Sequence, residues 1–148
     1  MKLTTVAAVL FGIVAVGASG ARATVAAQIE KSQWEGVYTL EQARRGDALY
    51  FQHCAGCHAP DLTGGETAPA LAGGEFAANW DSLTVGDIFE RIRISMPQGN
   101  PGALGRAQKA DVLAFILSKG NYPAGQEELP QQTEVLKTIA FLAQKPAK

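Results

Sequence analysis

Cysteine and histidine are scarce in this chain of 148 residues, and the scarcity excludes several chemistries at once. Cys54 and Cys57 are the only cysteines, and His53 and His58 the only histidines. A scaffold stapled by several disulfides is therefore ruled out, and a zinc site lacks the further soft ligands it would need. Strands rich in β-branched residues in βαβ order are missing too, which argues against a thioredoxin-like dithiol. Basic and acidic residues nearly balance at 13 and 14, so the composition offers no cationic surface of the kind that binds nucleic acid. There is no internal repeat and no low-complexity tract.

What the chain does contain is Cys54-Ala55-Gly56-Cys57-His58. Cys-x-x-Cys-His is the arrangement of covalent c-type haem attachment. Two thiols three residues apart on a helical turn can add to the two vinyl groups of one haem, and the adjoining imidazole then lies over the iron. Cys54 and Cys57 are thus the candidate anchors and His58 the candidate axial ligand. Methionine is equally sparse, with Met1 and Met96 alone. His53 is tethered beside the same haem face as His58 and cannot readily reach the second axial position. A lone methionine is ordinarily a gap-filler in a core. In Ser95-Met96-Pro97, where proline ends a helix and frees the chain, Met96 reads instead as the sixth ligand of a His/Met haem.

The amino end points to export. Met1-Lys2 is a short basic start, Leu3 to Ala18 is mostly apolar, and Ala21-Arg22-Ala23 offers a small-x-small cleavage site before Thr24. This is the pattern of a secretory signal peptide, residues 1–23. A retained anchor is the other reading, but two threonines and two glycines interrupt the run, which is short for a spanning helix. After cleavage near Ala23 no stable membrane insertion is expected. Removal of Lys2 and Arg22 leaves 11 basic residues against 14 acidic ones, a net charge of −3 before haem. The remaining length suits one domain with one core.

Residues 24–38 form an arm in which Trp34 and Tyr38 either lay aromatic surface on the domain or are loosely held. The domain itself is placed at 39–122. Its first helix is expected after Thr39, with Gln42 in capping-box position, running from Glu41 to Phe51 or Gln52. Leu40, Ala43, Gly46 and Tyr50 would share a stripe, and Gly46 suggests a close helix crossing. Residues 59–74 are rich in Gly and Pro and have no room for a long element; a loop of that length needs something to wrap, and the haem is the evident candidate. Thr84 with Asp87 caps a second helix whose apolar face, Val85, Ile88, Phe89 and Ile92, leads on to Met96. Trp80 is either a haem-propionate donor or a plain core residue, and Arg91 and Arg93 either balance propionates, meet an acidic partner, or are simply solvated. A third helix is expected from Arg106 to Ser118, ending at Gly120 and packing on the first near Gly46 through Phe115. In the extension, 123–148, Val135, Ile139 and Leu142 at helical spacing predict a short terminal helix within 130–144.

From about Trp34 to Gly125 the chain resembles the class I, His/Met monohaem cytochromes c. Gly36-Val37-Tyr38-Thr39, the stretch Thr84 to Arg93, Ser95-Met96-Pro97 and Asp111 to Leu117 resemble, more narrowly, the cytochromes associated with quinoprotein alcohol and sugar dehydrogenases. The resemblance implies an all-α cytochrome c fold, three core helices plus the short C-terminal helix around one covalently bound haem c. It implies that Pro69 supplies a carbonyl to the free nitrogen of His58 and that Leu71 touches the haem. It implies also that haem attachment is completed outside the cytoplasm, in the periplasm. Gly105 departs from the pattern, because such chains often carry Ser or Thr there, and a frayed helix start is expected.

Iron held on both sides leaves no open position for a substrate, so the expected role is one-electron transfer and not catalysis. The implied donor is a quinoprotein dehydrogenase, and the implied acceptor an oxidase or another cytochrome of the respiratory chain. Two rival readings stand beside this one. The first is a fixed cytochrome subunit of a dehydrogenase complex. The second is a haem sensor or peroxidase-like enzyme in which Met96 dissociates.

Overall fold

A computed structural model describes residues 28–147 of the chain. The signal peptide assigned to 1–23 and the first residues of the arm lie outside that range. Helix α1, Leu40–His53, starts where Thr39 Oγ1 accepts the Gln42 N–H at 3.1 Å. The capping box is only half made. Gln42 turns its carboxamide inward and pairs with both main-chain groups of Leu129, Nε2 to O at 3.0 Å and N to Oε1 at 2.7 Å. Gln42 thereby takes the inward place at the helix start, and Leu40, expected on the apolar stripe, is 59% exposed. Ala43, Gly46 and Tyr50 are buried as expected.

The single turn α2, Ala55–His58, follows directly, and α3, Gly73–Trp80, closes the Gly/Pro-rich loop. No local signal in the sequence announces α3, because two glycines open it and the helix is only eight residues long. Helix α4, Val85–Ser95, has the reciprocal capping box expected of Thr84 and Asp87, with Asp87 N–H to Thr84 Oγ1 at 3.1 Å and Thr84 N–H to Asp87 Oδ2 at 2.9 Å. Helix α5, Arg106–Lys119, is buried along its middle from Lys109 to Leu117.

Helices α1 and α5 pack together at Gly46. A Cβ built there would lie 1.9 Å from Asp111 O and 2.9 Å from Phe115 Cβ, so only a residue without a side chain permits this approach. Phe115 sits at the crossing as expected, 5.1 Å between ring centroids from Tyr50. The start of α5 is held and not frayed. Gln108 Oε1 accepts the Gly105 N–H at 2.9 Å, and Arg106 donates to Gln131 O and Thr133 Oγ1 while lying over the Phe89 ring. In place of a serine or threonine cap, Gln108 of the first turn holds the Gly105 N–H, and Arg106 ties that turn to residues 131–133.

The extension departs most from expectation. Its helix, α6, is one turn, Thr133–Leu136, and Ile139–Phe141 is a strand. With β1 at Lys31–Ser32, β2 at Leu83–Thr84 and β3 at Ile139–Phe141, the order is β1-β3-β2. Strand β3 is parallel to β1, with Lys31 opposite Ile139, and antiparallel to β2, with Leu83 opposite Phe141. Val135 is half exposed, whereas Leu136, Ile139 and Phe141 are buried. The apolar residues thus change from helical to alternating spacing at Thr138, once two partner strands are at hand to accept main-chain bonds. Gly86 makes room for this segment, since a Cβ there would fall 2.6 Å from Lys137 Cγ.

The arm is secured to the same segment. Trp34 Nε1 and Gln33 Nε2 both donate to Leu142 O, at 2.9 and 2.6 Å, and Tyr38 Oη donates to Tyr122 O at 2.7 Å. Of the two readings of Trp34 and Tyr38, the structure has the one in which they lie on the domain. The fold remains mostly helical, and the small sheet fastens Lys31–Ser32 and Ile139–Phe141 to the start of α4.

Candidate haem site

The site begins where α1 stops. Cys54 N–H bonds back to Tyr50 O at 2.8 Å, and the Cys54 carbonyl then accepts from Cys57 N at 3.1 Å and His58 N at 3.0 Å. This tight turn brings Cys54, Cys57 and His58 to the wall of one cavity of about 410 Å³. Both thiols are free, Cys54 partly covered and Cys57 exposed, and His58 is buried. Met96 lines the same cavity from the end of α4. Its N–H caps Ile92 O at 3.0 Å while its own backbone is already extended, so the helix delivers Met96 and stops there.

The loop after His58 folds over the imidazole. Gly64 N–H bonds to His58 O at 3.0 Å and Leu71 N–H to Leu62 O at 2.8 Å, which brings the Pro69 carbonyl 2.8 Å from His58 Nδ1. A carbonyl can only accept, so Nδ1 carries the proton and Nε2 keeps its lone pair for a metal. The rest of the wall is largely apolar: Leu71 and Phe76 from the loop and α3, Ile88 and Ile92 from α4, Val112 and Ile116 from α5. The size falls within the roughly 300–1,000 Å³ usual for cofactor sites. Two thiols, an imidazole in one tautomer, a thioether and an apolar wall are the donor chemistry of a c-type haem, and the residues fit it. Among the described residues no group of three or more His, Cys, Asp or Glu converges to hold a bare metal ion.

The model of the cytochrome C oxidase, cbb3-type, subunit III family matches residues 41–116, just over half of the chain. The chain belongs to this family. It is a class I c-type cytochrome whose haem c is covalently bound and carries electrons. A chain in the crystal structure of the sulfane dehydrogenase SoxCD from Paracoccus pantotrophus is similar at 24% identity with a TM-score of 0.44. The match covers 62% of this cytochrome and 54% of that chain, so the cytochrome spans about half the length of that relative. No curated protein matches it. Among its described residues, no helix is long and apolar enough to cross a membrane.

The remaining residues singled out in the sequence divide between two environments. Trp80, Arg91 and His53 line the cavity of the cytochrome, whereas Arg93 is committed elsewhere, bidentate to Glu90 at 2.7 and 2.8 Å. Polar Asn79 and Gln98 line the cavity too, and nothing in their sequence context marks them. The place of Tyr50 on the apolar stripe of α1 marks it only as core. Its hydroxyl donates to Ala59 O at 2.6 Å and so holds the chain immediately after His58. Burial pushes the Tyr50 phenol up to about 12, which keeps it a donor at any physiological pH. Burial likewise pushes the Cys54 thiol up to about 11, with Cys57 contributing second, so that before haem attachment it is held as the thiol.

Proposed function

We propose that this cytochrome is a periplasmic one-electron carrier. In this reading Cys54 and Cys57 are the thioether anchors of one haem c, and His58 and Met96 are its axial ligands. It takes electrons from a quinoprotein dehydrogenase and passes them to an oxidase or another cytochrome of the respiratory chain. The observation that carries the reading is the convergence of all four side chains on one largely apolar cavity. When bound, a haem c supplies a one-electron Fe(III)/Fe(II) couple.

The chain's own residues do the rest. The Pro69 carbonyl holds the His58 ring in one tautomer and makes its free nitrogen a stronger donor. A thioether at the sixth position favours the ferrous state relative to a second imidazole and raises the potential. Leu71, Ile88, Ile92 and Ile116 restrict water in the cavity and act in the same direction. With His58 and Met96 both holding it, a bound haem would offer no open position to oxygen or a substrate. Electron exchange with a partner would need only a small and transient contact. The secretory pattern of residues 1–23 supports the periplasmic assignment, and the likeness of Thr84 to Arg93 to dehydrogenase-linked cytochromes supports the donor.

The test is the absorption spectrum of the exported protein, oxidised and reduced, with extraction under denaturing conditions. Haem that stays on the chain, a low-spin reduced spectrum and the weak red band of sulfur-ligated ferric iron are the expected result. Haem that washes out, a high-spin spectrum, or rapid spectral change with carbon monoxide would overturn it.

A further inference from the structure

Lys109 is 2% exposed, which is unusual for a residue that is almost never fully buried unless paired. Among the described residues no carboxylate is paired with it. Its Nζ donates to two main-chain carbonyls instead, Arg93 O at 2.9 Å and Pro101 O at 2.7 Å. Removing the ammonium from water opposes its charge, and the nearby Arg93 guanidinium adds to that; both hold the Lys109 pKa below the ordinary lysine value. A side chain of this kind is costly to bury, and an apolar residue of similar length would fill the same space without that cost.

The two carbonyls give the cost a purpose. Arg93 O belongs to the last turn of α4, where carbonyls have no partner inside the helix and where a cation is favoured by the helix dipole. Pro101 O belongs to the 3-10 turn Pro101–Ala103. Between them runs the segment that carries Met96. That segment's own backbone bonds are local, Met96 N–H to Ile92 O and Asn100 N–H to Pro97 O, both 3.0 Å, and neither ties it to α5. Gln98, Gly99 and Asn100 are exposed. One ammonium on α5 therefore clamps both ends of the loop to the helix that also supplies Val112 and Ile116 to the cavity wall.

We propose that Lys109 is a positioning residue for Met96, fixing the loop so that the thioether is presented to the iron and is hard to displace. This rests on Met96 as the sixth ligand. Charge-assisted bonds to two carbonyls are stronger than neutral ones, and both are lost together when the ammonium is removed. The sequence carried a sign of it, since Lys109 precedes Val112, Leu113 and Ile116 on the inward stripe of α5.

The experiment compares ferric wild type with Lys109→Met, which keeps an unbranched side chain only one atom shorter and removes the donors. Three properties are read: the red sulfur-to-iron band, the affinity for imidazole as a competitor of Met96, and the urea midpoint of the holoprotein. The expected result is covalent haem retained, the band present in wild type, and imidazole bound at least about tenfold tighter by the variant, equivalent to ~1.4 kcal/mol. A variant that loses stability but binds imidazole within about twofold of wild type gives Lys109 a merely structural role and overturns the proposal. Absence of the band from wild type itself would remove Met96 from the iron, and the proposal would go with it; that outcome is separate because it is read without any variant. Should Lys109→Met not yield holoprotein, Lys109→Gln keeps N–H donors on a shorter stem. Imidazole affinity raised above wild type then supports the clamp, and unchanged affinity overturns it.

Discussion

Gly46→Ala tests the packing on which the cavity depends. An alanine methyl at residue 46 would sit 1.9 Å from Asp111 O, 2.5 Å from Asp111 C and 2.9 Å from Phe115 Cβ. Two of these atoms are helix backbone and cannot rotate aside. Reaching ordinary contact requires α1 and α5 to part by about 1.5 Å, since non-bonded carbon atoms are at their optimum roughly 3.5–4.0 Å apart. Alanine gains about 1 kcal/mol over glycine as a helix residue. Overpacking costs typically about 1–3 kcal/mol, and more where backbone must move. The net expectation is a loss of about 2 kcal/mol or more. That corresponds to a fall of roughly 8 °C or more in Tm for a domain of this size. Because Val112 and Ile116 of α5 line the cavity, the shift should also reduce the yield of holoprotein. Urea unfolding followed by far-ultraviolet circular dichroism and haem absorbance measures the effect. Ala48→Gly, at an exposed position of the same helix, serves as the control for propensity alone. If Gly46→Ala matched wild type or exceeded it in stability, the close crossing of α1 and α5 would be refuted.

Met96→Ala should leave haem covalently attached, lower the reduction potential and open the iron to cyanide or imidazole; spectroelectrochemistry showing an unchanged band and potential would remove Met96 from the site. Cys54→Ser combined with Cys57→Ser should abolish covalent haem, read as loss of haem staining after denaturing electrophoresis. Glu90 concerns acid stability. Its hydrogen bonds from Arg93 first and Thr133 second hold its carboxyl down at about 2, so the folded state prefers the charged form. Its contribution is therefore present above the ordinary glutamate range and is lost as pH falls through that range towards about 2. Glu90 is one quarter exposed, and after solvent screening the contribution is of order 1–2 kcal/mol. Urea midpoints measured from pH 7 down to about pH 3 should converge for wild type and Glu90→Gln; parallel profiles would contradict the assignment.

Much of the candidate site was legible because its elements are local. Cys54, Cys57 and His58 lie within one helical turn, and no fold is needed to know that their side chains can reach a single group. Met96 was legible by elimination and by the apolar stripe of α4 that leads to it. The caps at Thr39 and Thr84 and the glycine at the α1–α5 crossing follow from short-range rules of the same kind. Tertiary structure decided what depends on distant partners. Gln42 satisfies Leu129 and not its own helix start, so Leu40 is exposed. Ile139 and Phe141 are a strand because β1 and β2 flank them, although their spacing with Val135 also fits a helix. Arg91 faces the cavity whereas Arg93 pairs with Glu90, a distinction that two arginines only two residues apart on one helix cannot announce.

Lys109 marks the limit most sharply. A charged side chain in a helical stripe has a sequence signature, but its meaning lies in two carbonyls contributed by other elements, at Arg93 and Pro101. Local pattern alone determined the haem chemistry, because covalent attachment is written in neighbouring residues. How firmly the proposed sixth ligand, Met96, is held depends only on the fold, because backbone carbonyls are the same in every residue and acquire identity from where the chain brings them.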